Sequence, residues 1–269
     1  VRQELDNRKI TIKNYDQTEF IPFDPVSKRT EGTITDTSTG KIFKVTKGAP
    51  QVILRMSHNW DEIHEQVAAS VLDSAKRGFR TIGVAISEEK IGTEQKWQMC
   101  GLIQLYDPPR HDTAGTVKKA QLLCVEVKMI TGDQKAIAEE TLRQLQMEDT
   151  VYTPEVLNQP KDVCLQEVQN ASGMAEVFPE HKFDIVQILQ TVPGNRVGMT
   201  GDGVNDAPAL KAADVGIAVS DCTDAARSAA DIVLLDEGLS VIITAIRVAR
   251  SIFQRLRNYI IFRLCETVQ

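Results

Sequence analysis

Short apolar runs between polar, glycine-marked stretches give residues 20–56 strong β signals, FIPF and then KIFKV, with Thr-Gly punctuation around Gly32 and Gly40. The pattern predicts a β-hairpin or meander, broken at Gly48 and Pro50. From 61 to 77 the pattern changes. Ile63, Val67, Val71, Leu72 and Ala75 fall on one face of a 3.6-residue turn, which predicts an amphipathic helix stopped by Gly78. FRTIGVAI at 79–86 and WQMCGLIQLY from Trp97 predict two more strands.

Asp107-Pro108-Pro109-Arg110 is the clearest break. Two prolines fix φ and remove two backbone donors, which reads either as a stiff hinge between domains or as a plain loop. Beyond it, helical and strand patterns alternate. Helices are predicted over 116–123, 134–147 and 183–189, with Ile137, Leu142 and Leu145 facing inward in the second. Strands are predicted at CVEVKMI (124–130), RVGMT (196–200), VGIAV (215–219) and DIVLL (231–235). Strands separated by helices indicate an α/β fold with a doubly wound parallel sheet. Residues 239–264 read as one long helix.

Composition bounds the function. With 269 residues, 42% hydrophobic and 25% charged, the chain holds one large domain or two small ones. A net charge of -6 without a basic stripe argues against nucleic acid. The chain opens on Val1 without a signal peptide pattern, has no run of 18 apolar residues, and ends at Gln269 within a helical stretch, so both ends read as cut from a longer protein. Cys100, Cys124, Cys164, Cys222 and Cys265 are far apart and form no CxxC pair, which argues for reduced thiols and against zinc.

The richest chemistry lies in MTGDGVNDAPALKAADVGIAV, residues 199–219. A short strand leads into a turn at Gly201 and Gly203 and presents Asp202, Asn205 and Asp206 at its carboxyl end, where open α/β sheets bind ligands. Hard carboxylate and amide oxygens suit magnesium, which needs one or two carboxylates and keeps several waters. Asp202 directly follows the strand and is expected to be anchored by it, with Asp206 on a less constrained turn. A second strand-turn-helix gives Thr131-Gly132-Asp133. Its hydroxyl and backbone amides suit a phosphoryl group at a helix N-terminus, while Asp133 also reads as a plain cap on a helix from Gln134. Lys182, in AEVFPEHK, is either a surface lysine or a cation for phosphoryl oxygens. His58, His64, His111 and His181 read as structural. No GxxxxGK[ST], GxGxxG or GxSxG string occurs.

TGD, a lysine and TGDGVNDAP, in that order after a proline hinge, resemble the phosphorylation domain of P-type ATPases, which has the haloacid-dehalogenase-like fold. The resemblance covers essentially the whole chain. Lys47-Gly48-Ala49-Pro50 is similar to the family's KGAP motif in the ATP site. Phe23 and Lys28 in PFDPVSKR resemble its adenine-stacking phenylalanine and nearby lysine, and Arg80 in RGFRTIGVA resembles the arginine that contacts ATP phosphates. The resemblance further implies Asp202 as magnesium ligand and Lys182 as phosphoryl contact. Thr131, Gly132 and Asp133 would line the phosphate pocket, and Asn205 and Asp206 would organise the site.

The implied layout is a partial α+β nucleotide-binding domain with an antiparallel sheet (1–98), a phosphorylation domain (99–248), and a stalk with the start of a membrane helix (249–269). FDPVSKRTEGTI, DPPRHDT, AEVFPEHKFDIV, CTDAARSAADIVLL and IFQRLRNYIIF resemble the plasma-membrane proton-pump branch. The resemblance then implies ATP as substrate, magnesium as cofactor, a transported cation, and a position on the cytoplasmic side of the plasma membrane. The family's DKTGT segment, with the aspartate that is phosphorylated, does not occur in this sequence. The early acids Glu4, Asp6, Asp16 and Glu19 do not lie in that context, so these 269 residues alone are expected to form no phosphoenzyme. The alternatives are another cation pump, a calcium pump for example, a soluble haloacid-dehalogenase-like phosphatase, or a nucleotide-binding module.

Overall fold

The computed structural model describes residues 14–24, 26–91 and 94–268. Glu4 and Asp6 lie outside them. The chain divides into two compact units, residues 1–107 and 108–269.

The first unit is an antiparallel five-stranded sheet in the order β1-β2-β3-β4-β5. Its strands are β1 (Tyr15–Asp24), β2 (Arg29–Asp36), β3 (Ile42–Gly48), β4 (Phe79–Ile91) and β5 (Glu94–Tyr106). Two helices, α1 (Pro50–Met56) and α2 (Trp60–Lys76), are inserted between β3 and β4. Pro50 ends the strand pattern as expected, but it does so by opening a helix that the pattern did not predict. It occupies the first helical turn, where its missing N–H has no partner to lose. Ile53 and Leu54 of α1 pack with Ala85, Trp97 and Met99 of the sheet, and Ile63 and Val67 of α2 lie against them. The predicted apolar stripe of α2 turns inward at Ile63, Val67, Val71 and Ala75, but Leu72, expected in the stripe, is 53% exposed. On β2, burial raises the Glu31 carboxyl, but hydrogen bonds from Lys44 and Arg29 outweigh it and hold the group below its usual range.

The second unit alternates helices with short parallel strands. In chain order these are α3 (Thr113–Leu122), β6 (Met129–Ile130), α4 (Lys135–Gln144), β7 (Val151–Tyr152), α5 (Lys161–Asn170), β8 (Gly173–Met174) and α6 (Pro179–Gln190). They continue as β9 (Gly198–Gly201), α7 (Ala207–Ala212), β10 (Val215–Ala218), α8 (Asp224–Ala229), β11 (Ile232–Val233) and α9 (Ser240–Val268). The strands form two three-stranded sheets, β6-β8-β7 and β11-β10-β9, with every pairing parallel. Cys164, Val168, Met174 and Ile185 form one core cluster. Val186, Met199, Ala209, Leu210 and Ala226 form another, so α6 contributes to both.

Two predicted strands are much shorter in the structure. The one expected over 124–130 pairs only through Met129 and Ile130. Cys124 adopts a left-handed φ of 56° as the chain leaves α3, and Lys128 turns aside to donate to the carbonyls of Gln169 (2.5 Å) and Ala171 (2.8 Å) at the end of α5. The strand expected over 231–235 pairs only through Ile232 and Val233. The long helix is present as α9. Among the described residues no helix is long and apolar enough to cross a membrane. Arg247, Arg250, Arg255, Arg257 and Arg263 interrupt the apolar surface of α9.

Gly216 in β10 is a packing requirement. A Cβ there would lie 2.5 Å from the backbone oxygen of Leu210, which is fully buried. This close approach seats α7 against β10.

Candidate functional site

In the second unit, β9 ends at Gly201 and delivers Asp202 directly into a turn. The chain then makes a short 3-10 turn over Val204–Asp206 and enters α7, with Pro208 in its first turn. Asp206 is 6% exposed and is the most constrained acid of this segment. Its Oδ1 accepts a 2.7 Å charge-assisted hydrogen bond from Lys182 Nζ. Its Oδ2 accepts from the backbone N–H groups of Asp202 and Gly203, each at 3.3 Å. The sequence expectation of a loosely held Asp206 is thus corrected: the buried carboxylate fixes the turn, and Asp202 is the exposed acid. Gly201 permits this, because a Cβ there would meet the Asp206 Cβ at 2.5 Å.

Lys182 reaches Asp206 from the first turn of α6. Pro179 opens that helix, and the Phe178 N–H donates to His181 Nδ1 at 3.3 Å. The far end of α6 is tied to the start of β9 through Asp214. Its carboxylate accepts from Val197 N–H and Gln190 Nε2, and these bonds, with Arg196, hold the Asp214 carboxyl below its usual range. Helix, strand and turn are registered at both ends, which fixes the Lys182–Asp206 pair in place.

Asp202 is held by its backbone on both sides. Its N–H bonds Asp206, and its carbonyl accepts from Thr223 N–H at 2.8 Å. The side chain is exposed at the carboxyl end of the strand. Asn205 is exposed on the same turn. One exposed carboxylate with an amide nearby fits the oxygen chemistry of magnesium, which retains water and seldom needs a full protein cage. No group of three or more His, Cys, Asp or Glu side chains that could hold a metal ion occurs among the described residues.

The Thr131–Asp133 segment follows β6. Thr131 donates its hydroxyl to Asp133 Oδ2 and accepts from Asp133 N–H, both at 3.1 Å. The N-cap of α4 is Gln134 and the helix starts at Lys135, so Asp133 closes a local turn and does not cap the helix. The segment is stitched to the loop after β8: Thr131 N–H donates to Met174, while Val177 and Glu176 donate to Thr131 and Asp133. Gly132 is exposed between them. The loop after β8 is itself the lead into α6 and Lys182, a link that motif reading does not reveal.

In the first unit, the antiparallel order brings the ends of β1 and β3 and the starts of β2 and β4 to one edge. Phe23 lies near the end of β1 and is 59% exposed. Lys28 takes a left-handed φ of 51° in the β1–β2 turn. Its carbonyl accepts from Ala49 N–H, and a Cβ on Gly48 would lie 2.4 Å from that oxygen, so glycine is needed where the turn meets β3. Lys47 pairs with Val84 across β3 and β4 and shares its face. Arg80 lies four residues before Val84 on the same face, about 13 Å along the strand. Lys47 and Arg80 are both exposed.

The haloacid dehalogenase-like hydrolase family matches residues 31–214. Among curated proteins, the chain is 50% identical over 265 residues to "Putative cation-transporting ATPase MJ1226" of Methanocaldococcus jannaschii, covering 96% of this chain and 32% of that protein. It is 44% identical to "Plasma membrane ATPase" of Dunaliella bioculata, covering 98% of this chain and 25% of the relative. It is 46% identical to "Probable proton ATPase 1A" of Leishmania donovani, covering 95% and 27%. The chain therefore spans about a quarter to a third of the length of these relatives. These matches bear out the resemblance to P-type ATPases, and the chain belongs to the haloacid dehalogenase-like hydrolase family.

Proposed function

We propose that this chain is the ATP-handling part of a longer ATP-driven cation pump, working at the cytoplasmic side of the plasma membrane with the proton as its cargo. The observation that carries this reading is the part-buried Lys182–Asp206 pair, which fixes the turn bearing an exposed Asp202 at the strand end. Similarity over nearly all of this chain, and a quarter to a third of each relative, to cation, plasma membrane and proton ATPases supports it. The proton is favoured over other cations by the relatives named as probable proton ATPases, and the plasma membrane by the relative named for it.

In this reading the first unit binds ATP, with Phe23 stacking on the base and Lys28, Lys47 and Arg80 meeting the phosphates. The second unit is the part of the phosphorylation domain that lines the phosphoryl group; the aspartate that accepts it does not occur in this sequence. Thr131, Gly132 and Asp133 line its pocket, where the Thr131 hydroxyl would turn from Asp133 to a phosphoryl oxygen and the Gly132 N–H would donate beside it. Lys182 shares its charge between Asp206 and a phosphoryl oxygen, and Asn205 and Asp206 keep the turn in register. Asp202 is the magnesium ligand. When bound, magnesium offsets the charge that spreads over the phosphoryl oxygens in the transition state.

Lys47→Ala in the intact pump tests the nucleotide half. A charge-assisted contact to phosphate is lost, so nucleotide affinity is expected to fall about tenfold. The maximal rate at saturating ATP is expected to change little, because the contact acts on ground-state binding. Equilibrium binding of ATP checks this. An unchanged affinity removes Lys47 from the site.

A further inference from the structure

The loop between β10 and α8 meets the 199–206 segment through backbone hydrogen bonds. β9 and β10 pair in parallel as far as Gly201 and Ala218. The ladder then continues past the strand ends: Val219 N–H donates to Gly201 at 3.3 Å, and Thr223 N–H donates to the Asp202 carbonyl at 2.8 Å. Thr223 is also the N-cap of α8, where its Oγ1 accepts from Ala226 N–H at 3.4 Å. Ala226 is fully buried in the cluster with Val186, Met199, Ala209 and Leu210, so α8 is a docked element.

We infer that Thr223 is a positioning residue for Asp202. Its hydroxyl locks the first turn of the docked helix, and its N–H then holds the Asp202 carbonyl in place. The opposite side of Asp202 is already fixed by Asp206, so Thr223 supplies the second of two backbone restraints on the residue whose carboxylate faces solvent. A Thr223 side chain that cannot cap leaves its N–H on a mobile turn, and Asp202 gains freedom exactly where a metal ligand needs to be fixed. Thr223 itself touches neither phosphate nor metal. The inference rests on the reading of Asp202 as the magnesium ligand.

The test uses the intact pump and a series graded by capping ability: Thr223→Ser and Thr223→Asn, which cap, against Thr223→Ala and Thr223→Val, which do not. Two quantities are read. One is Mn2+ binding, followed by electron paramagnetic resonance as a stand-in for magnesium without turnover. The other is the magnesium concentration for half-maximal phosphoenzyme formation. Both are expected to weaken about three- to tenfold in the Ala and Val variants and to stay near wild type in Ser and Asn, with ATP affinity unchanged throughout. If Ala and Val lower thermal stability but leave both metal readouts at wild type, Thr223 is only a helix cap and the inference fails. Asp202→Asn run beside the series separates the two ideas. If it too leaves Mn2+ binding unchanged, the metal assignment itself has failed.

Discussion

Asp202→Asn is expected to cut phosphoenzyme formation in the intact pump about a hundredfold or more while leaving ATP affinity at wild type. The substitution preserves shape and backbone restraints but removes the ligand charge. Magnesium is the largest compensating charge available to the phosphoryl group, and its loss acts on the transition state. In the proposed reading ATP is bound by Lys47, Arg80 and their neighbours in the first unit, so its affinity is expected to be spared. Acid-quenched labelling with radioactive ATP, at limiting and at saturating magnesium, measures the effect. Wild-type labelling at limiting magnesium would place the ion on another residue.

The second large effect belongs to Asp206. Asp206→Ala removes a carboxylate that is 6% exposed and leaves Lys182, whose side chain is 18% exposed, without its partner. Breaking a buried pair on one side costs about 3 kcal/mol. The N–H groups of Asp202 and Gly203 lose their acceptor as well. The expected result is a fall in melting temperature of about 6–12 °C for the phosphoryl-handling unit, seen by calorimetry, together with loss of phosphoenzyme. Asp206→Asn keeps a carbonyl acceptor and is expected to lose about half as much stability. Equal melting temperatures for wild type and Asp206→Ala would show that the pair contributes nothing to the fold.

Much of this architecture is legible in the sequence because its signals are local. Most of the apolar stripe of α2, the short β signals of the first unit and the long α9 are local patterns, and 199–219 announces a strand, a turn and its acids. The short parallel strands are less legible. β7 and β8 each pair over two residues, Val151–Tyr152 and Gly173–Met174, too short to show a period. Helix α1 hides behind Pro50, which reads as a stop and acts as a start. α5, α7 and α8 are likewise brief or lack a clear stripe.

The site is legible in its residue types and not in its division of labour. Asp202 and Asp206 look alike in TGDGVNDAP, and only the arrival of Lys182 from α6 makes one buried and structural and leaves the other exposed. The same holds for Gly201, whose missing Cβ matters because Asp206 folds back against it. The clamp of Thr223 on Asp202 is a backbone bond across 21 positions of chain, and no side-chain pattern records it. A threonine before a short helical run does signal a cap, and that much was open to sequence reading.

The most direct test of the account is ATP-driven transport by the intact pump in sealed proteoliposomes, with a pH-sensitive dye inside. ATP and magnesium added outside are expected to acidify the lumen. A protonophore should collapse the gradient, and Asp202→Asn should give none. ATP hydrolysis that proceeds at full rate with no acid-labile phosphoenzyme and no movement of protons or any other cation would contradict it.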